Sequence, residues 1–221
     1  MLNVWGLVGS YVLIFMIIGI STILQKKNIL GDEGARKFIH IGVSNWWILA
    51  MLFFTGESKV WFAMIAPVTF IVLNYLSYRL NLLKAMERGG KGNLGTVYFP
   101  ISLLILVALT FGVIDNPFIG AVGILVMGYG DGLAAVIGKR YGKRMLVHGK
   151  SFEGSLTMFV TSFIVTFIIA MFTQTVGISL LLAMGVAAFA TLIELFTPKG
   201  LDNLSVPLGS SLIFYLLLLI I

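Results

Sequence analysis

Asp131 stands in GYGDGLAAVIGKRYGK (128–143), a lone carboxylate in an apolar run that ends in Lys139, Arg140, Lys143 and Arg144. A carboxylate in such a position can hold a divalent cation or take a proton from a hydroxyl. Closely spaced lysines neutralise a polyphosphate. Two further acids, Glu153 in GKSFEGS (149–155) and Glu194 one turn before Thr197-Pro198, fall near the same predicted helix ends. These residue types suit phosphoryl transfer, which depends on positioning and electrostatics. Magnesium takes one or two carboxylates beside phosphate oxygens, so Asp131 with Glu153 or Glu194 is the expected donor set. Lys139, Lys143 and Lys150 are the expected phosphate partners, and Asp131 or Glu153 the expected base.

The elements that carry these residues are membrane spans. The chain has 221 residues, 59% hydrophobic and only 11% charged, with mean hydropathy +1.04. Soluble domains carry about 25% charged residues. A span needs about 20 mostly apolar residues. About eight candidates are predicted, at 4–24, 35–55, 60–79, 96–113, 117–138, 152–173, 177–197 and 204–221, in a single all-α domain covering 1–221 with no internal repeat. Fourteen of the fifteen Lys and Arg residues fall in alternate connections, and Lys59 alone falls on the opposite side. By the positive-inside rule the basic connections are cytoplasmic and both termini are non-cytoplasmic. The same rule accounts for the net charge of +6 without a nucleic-acid partner. There is no cysteine, so thiol chemistry and disulfides are excluded. The first span begins without a leader pattern, which makes a multi-pass protein of a prokaryotic cell membrane the simplest expectation. Trp5, Trp46, Trp47 and Trp61 are candidate interface anchors.

On this topology Asp131 lies about 10 Å below the cytoplasmic end of the fifth span, at about 1.5 Å per residue. A charge at that depth faces a protein interior or a water-filled cavity. Gly128, Gly130, Gly132, Ala134, Ala135 and Gly138 around it allow a helix or ligand to approach closely. Four predicted helix starts on this side follow polar or glycine-rich stretches: GDEGARKFIH (31–40), GGKGNLGT (89–96), HGKSFEGS (148–155) and KGLDNLSVP (199–207). Helix N-termini suit phosphate, and Lys91 and Asn93 join the candidate phosphate contacts on that ground, although capping alone would account for any single start. The stretch is not a P-loop, because Arg144 stands where the pattern needs glycine. His40 shares a helical face with Arg36 and Lys37, as a catalytic candidate or as a hydrogen-bonded structural residue. The acids in or beside spans gather at one face, which argues against a transport path through the membrane centre.

GDGLAAVIGKRYGK joined to GKSFEGS resembles the nucleotide-binding region of the CTP-dependent polyprenol kinase family, which includes dolichol kinase, phytol and farnesol kinases and a CTP-dependent diacylglycerol kinase. RKFIHIG (36–42), GTVYFP (95–100) and LDNLSVPL (201–208) resemble further motifs of that family, the last closest to the phytol and farnesol kinase branch. The resemblance covers about residues 32 to 210. It implies transfer of the γ-phosphate of CTP to the hydroxyl of an isoprenoid alcohol such as phytol, geranylgeraniol or farnesol. It also implies nucleotide contacts at Asp131, Lys139, Lys143, Lys150, Ser151, Glu153 and Gly154, with Asp202 and Asn203 from the last motif. Arg36 and Lys37, within RKFIHIG, are added as candidate nucleotide contacts. The competing readings are a CTP-dependent cytidylyltransferase making a CDP-lipid, which would release pyrophosphate instead of CDP, and a transporter or lipid-binding protein without chemistry.

Overall fold

The computed structural model describes residues 1–80, 94–198 and 200–221. Lys91 and Asn93, two of the candidate phosphate contacts, lie outside them, as does Lys199. Among the described residues the chain is helical, with one isolated antiparallel bridge between Met145 and Ser151. Seven of the described helices are long and apolar enough to cross a membrane: Leu2–Lys26, Lys59–Leu80, Gly95–Val113, Pro117–Tyr141, Phe152–Ala170, Val176–Phe196 and Asp202–Ile220. The expected all-α polytopic class is therefore what the structure has.

The eighth expected span, 35–55, is divided. It forms α2 (Asp32–Ser44) and α3 (Trp46–Phe53), separated at Asn45. The Asn45 side-chain amide donates to the carbonyls of Ile41 at 2.9 Å and Gly42 at 3.3 Å. An asparagine that bonds the backbone locally competes with the helical ladder. Neither half alone is long enough to span, so among the described residues seven continuous helices reach the length of a span and the eighth stretch is a broken pair.

The described residues form two compact units, Met1–Pro117 and Phe118–Ile221. In the first, α1 (Leu2–Lys26) packs against α2, α3 and α4 (Lys59–Leu80), and α4 packs on α5 (Gly95–Val107). The buried face of α1 is Gly6, Ser10, Ile14, Ile17 and Ser21, at helical spacing, while Val8, Val12 and Phe15 are exposed. Small residues let helices approach where lipid supplies no hydrophobic drive to associate. A Cβ on Gly42 would come within 2.7 Å of Ile17. Hydroxyls also join helices: Ser21 Oγ donates to the Ala35 carbonyl at 2.9 Å, and Ser10 Oγ accepts from Trp46 Nε1 at 2.8 Å.

That last bond corrects an expectation. Trp46 and Trp47 are not interface anchors: both are fully buried. Trp47 Nε1 donates to the Pro117 carbonyl at 2.9 Å, and its ring meets Phe111 edge-on at 5.5 Å. An indole N–H that finds a partner can stay inside. Trp5 and Trp61 are exposed, as anchors would be.

In the second unit, α6 (Pro117–Leu125) runs through a π-helical turn at Val126–Asp131 into α7 (Gly132–Tyr141). The most apolar stretch of this composite helix is 78% buried, against 50% or less for the other six spans. It packs on α8 (Phe152–Ala170), α8 on α9 (Val176–Phe196), and α9 on α10 (Asp202–Ile220). Gly130 makes this possible, since a Cβ there would lie 2.6 Å from Met158 Sδ. The end of α7, the start of α8, the end of α9 and the start of α10 meet at one end of this unit.

Candidate functional site

The loop from α7 to α8 is a small hairpin. Leu146 N–H donates to the Lys150 carbonyl at 2.7 Å, and Phe152 N–H to the Arg144 carbonyl at 2.8 Å. At its tip Lys150 N–H donates to the Val147 carbonyl at 3.2 Å. The two residues between, His148 and Gly149, have φ of 56° and 71°. Two consecutive positive φ values mark a tight hairpin turn that glycine adopts freely. Ser151 then caps α8, its Oγ accepting from Gly154 N–H at 3.1 Å. Glu153 Oε2 accepts from Lys143 N–H at 3.1 Å and so ties the start of α8 back to the loop.

The glycines of this motif are packing residues here. A Cβ on Gly138 would lie 2.9 Å from Ser151 Oγ, one on Gly142 would lie 2.7 Å from Ser151 Cβ, and one on Gly154 would lie 3.1 Å from the Ala134 carbonyl. They bring the end of α7 onto the capped start of α8. The spacing that resembles a phosphate loop therefore first serves a helix–helix contact, and Gly154 N–H is already committed to the cap.

Behind the hairpin lies a buried charged cluster. Asp131 ends the π-helical turn, Glu194 lies in the last turn of α9, and Asp202 opens α10; each is about 5–6% exposed. The charges of Asp131 and Asp202 both act on the Glu194 carboxylate. Lys150 Nζ sits 2.6 Å from Glu194 Oε1 and also donates to the Glu194 backbone carbonyl. Asp202 Oδ1 accepts from Gly200 N–H at 3.0 Å and Asn203 N–H at 3.1 Å, and Asn203 is itself buried. Ser205 Oγ donates to Thr197 Oγ1 at 3.0 Å across the short α9–α10 connection. Lys139, Arg140, Lys143 and Arg144 are exposed around this end, with Arg140 over the Tyr141 ring.

The expected residues are thus brought together in part. Asp131, Glu194, Asp202, Asn203, Lys150 and Ser151 lie within one end of the second unit, and Glu153 lies on its loop surface, bonded to the Lys143 amide. Arg36, Lys37 and His40 belong to the first unit. There Arg36 pairs with Glu33, Lys37 is 4% exposed, and the His40 ring packs on Phe99 with centroids 4.6 Å apart. Among the described residues no three or more His, Asp or Glu side chains converge on a metal position. The donor set does not suit a metal held by protein alone. Two buried carboxylates in electrostatic range, Asp131 and Glu194, do suit magnesium that arrives bound to phosphate oxygens. Sequence reasoning missed the Lys150–Glu194 ion pair and the Asp202 turn, because partners 44 residues apart leave no local signal.

No family model and no solved structure matches the chain. It is 37% identical over 217 residues to phytol kinase of Synechocystis sp., an alignment that covers 94% of this chain and 88% of that protein. It is 31% identical over 219 residues to a probable chloroplastic phytol kinase 1 of Oryza sativa, covering 88% and 67%. It is 28% identical over 213 residues to chloroplastic phytol kinase 1 of Arabidopsis thaliana, covering 87% and 69%. The chain belongs to the phytol kinase family, the branch its motifs resemble, and is a kinase that transfers phosphate to an alcohol acceptor.

Proposed function

We propose that this enzyme transfers the γ-phosphate of CTP to the hydroxyl of a membrane-dissolved isoprenoid alcohol of the phytol, geranylgeraniol or farnesol type. The reaction takes place at the cytoplasmic face of a prokaryotic cell membrane. One observation carries the reading: a nine-tenths-buried carboxylate, Asp131, beside a capped, glycine-packed hairpin that is ringed by exposed Lys139, Lys143 and Arg144. The relatives named as phytol kinases support the acceptor class, and the one-sided Lys and Arg distribution supports the cytoplasmic face.

In this reading the nucleotide phosphates lie against Lys139, Lys143 and Ser151 at the start of α8, where a helix N-terminus favours an anion. Asp202 and Asn203 line the same end. Arg36, Lys37, Lys91 and Asn93 are the proposed further nucleotide contacts, and His40 is a second proton-handling candidate. Asp131 and Glu194 would hold magnesium brought in with the nucleotide, and that ion would supply charge neutralisation on the phosphoryl group. Asp131 accepts the alcohol proton as the alcohol oxygen bonds to the γ-phosphorus. The bond from that phosphorus to the β-phosphate oxygen breaks, and CDP leaves. Glu153, held by the Lys143 amide, orders the loop.

The test is transfer of γ-labelled phosphate from CTP, with magnesium, into the lipid fraction of detergent-purified protein supplied with phytol or geranylgeraniol. Labelled prenyl phosphate with stoichiometric CDP is the expected result. Pyrophosphate release with phosphatidate as acceptor would replace the reading with a cytidylyltransferase, and absence of turnover on every alcohol and nucleotide would end it.

A further inference from the structure

The side chain of Lys150 is 11% exposed and that of Glu194 7% exposed. Lys150 makes two contacts to one residue, the Glu194 carboxylate at 2.6 Å and its backbone carbonyl. The carbonyl belongs to the last turn of α9, where the free C=O groups and the negative end of the helix dipole favour a cation. The neighbouring residue, Ser151, caps the N-terminus of α8. The dipeptide Lys150-Ser151 therefore closes one helix end with an ammonium and the next with a hydroxyl, and the hairpin 142–151 hangs from both.

We infer that Lys150 and Glu194 form a buried latch that fixes the hairpin 142–151 on the end of α9, which makes both of them positioning residues for the nucleotide site. The latch itself rests on geometry, and its consequence for nucleotide rests on the kinase reading above. An ammonium spent on a carboxylate and a carbonyl in a buried setting is not free to hold a phosphate. The lysines left to meet a polyphosphate are Lys139 and Lys143, whose chain segment the latch holds in place through the hairpin and the Glu153–Lys143 bond. The pair also places one positive charge among three buried carboxylates, Asp131, Glu194 and Asp202. Removing Lys150 alone leaves the Glu194 carboxylate buried without its partner, whereas removing both takes the pair away together.

The test uses the full chain in detergent or nanodiscs. The natural sequence has no cysteine, so Val147→Cys, at an exposed position on the hairpin, carries a single spin label whose motion reports the loop. Lys150→Met, Glu194→Gln and the double variant are compared with the parent by label mobility and by the KM for CTP against kcat. The latch predicts that either single variant mobilises the label, and that the double variant does so no further. It also predicts that the KM for CTP rises about tenfold in all three, and that in Lys150→Met, which keeps the Glu194 carboxylate, kcat changes less, because an interaction made equally in ground and transition states is lost. The double variant removes both members of the ion pair together, so it keeps the comparison readable if a single variant does not fold. Label motion unchanged in the double variant would overturn the latch. So would a raised KM in Lys150→Met beside a parental KM in Glu194→Gln, which would make Lys150 a direct phosphate contact. A parent protein inactive on every alcohol would end the kinase reading, while label motion would still decide the latch.

Discussion

In the first unit two buried hydroxyls are met by a neighbouring helix: Ser10 accepts from the Trp46 indole, and Ser21 donates to the Ala35 carbonyl. At the hairpin end of the second unit the balance is different. Asp131, Glu194 and Asp202 are each buried, and the Lys150 ammonium pairs with Glu194. A helix bundle in lipid gains from interhelical hydrogen bonds between neutral groups. It gains nothing from collecting carboxylates, each of which is costly to bury without compensation. The neutral contacts are explained by packing, and the acidic cluster is where the proposed magnesium of the nucleotide would bring positive charge.

The largest effect that would sharpen this contrast is Asp131→Asn. Loss of a general base costs about 10²–10⁴ in rate, so kcat should fall by about that factor while the melting temperature stays near the parent's. Trp47→Ala tests the opposite region. Deleting a fully buried indole costs about 3–5 kcal/mol of stability, and what folds should keep the parental KM for CTP. A changed KM there would mean that the division between a packing region and a chemical region is false. Lys143→Met comes next. It removes an exposed charge whose amide, not its ammonium, holds Glu153, so the KM for CTP should rise several-fold in low salt and less in high salt, as about a 10 Å screening length at 0.1 M implies. Ser151→Ala is the smallest. Losing an N-cap costs about 1 kcal/mol, read as a modest drop in melting temperature.

Much of the molecule could be read from residue types. Length and apolarity identify the spans, and the two joined motifs at 128–155 identify the family. What the sequence hid had physical causes. Asn45 divides an apolar stretch through side-chain bonds to Ile41 and Gly42, which hydropathy does not register. Trp46 and Trp47 look like interface residues by type, yet each has an internal partner for its N–H, and burial follows from that. Gly138 was legible as a site of close approach, but not as to what approaches, which is Ser151; Gly154, read as a nucleotide contact, packs on the α7 backbone. Lys150 read as a phosphate ligand because its partner Glu194 is distant in the chain.

The most direct test of the account compares parent and Asp131→Asn proteins, matched for melting temperature, in transfer of γ-phosphate from CTP to phytol or geranylgeraniol. The account predicts labelled prenyl phosphate from the parent and a loss of about 10²-fold or more in the variant. Transfer at the parental rate by a folded Asp131→Asn protein would contradict it.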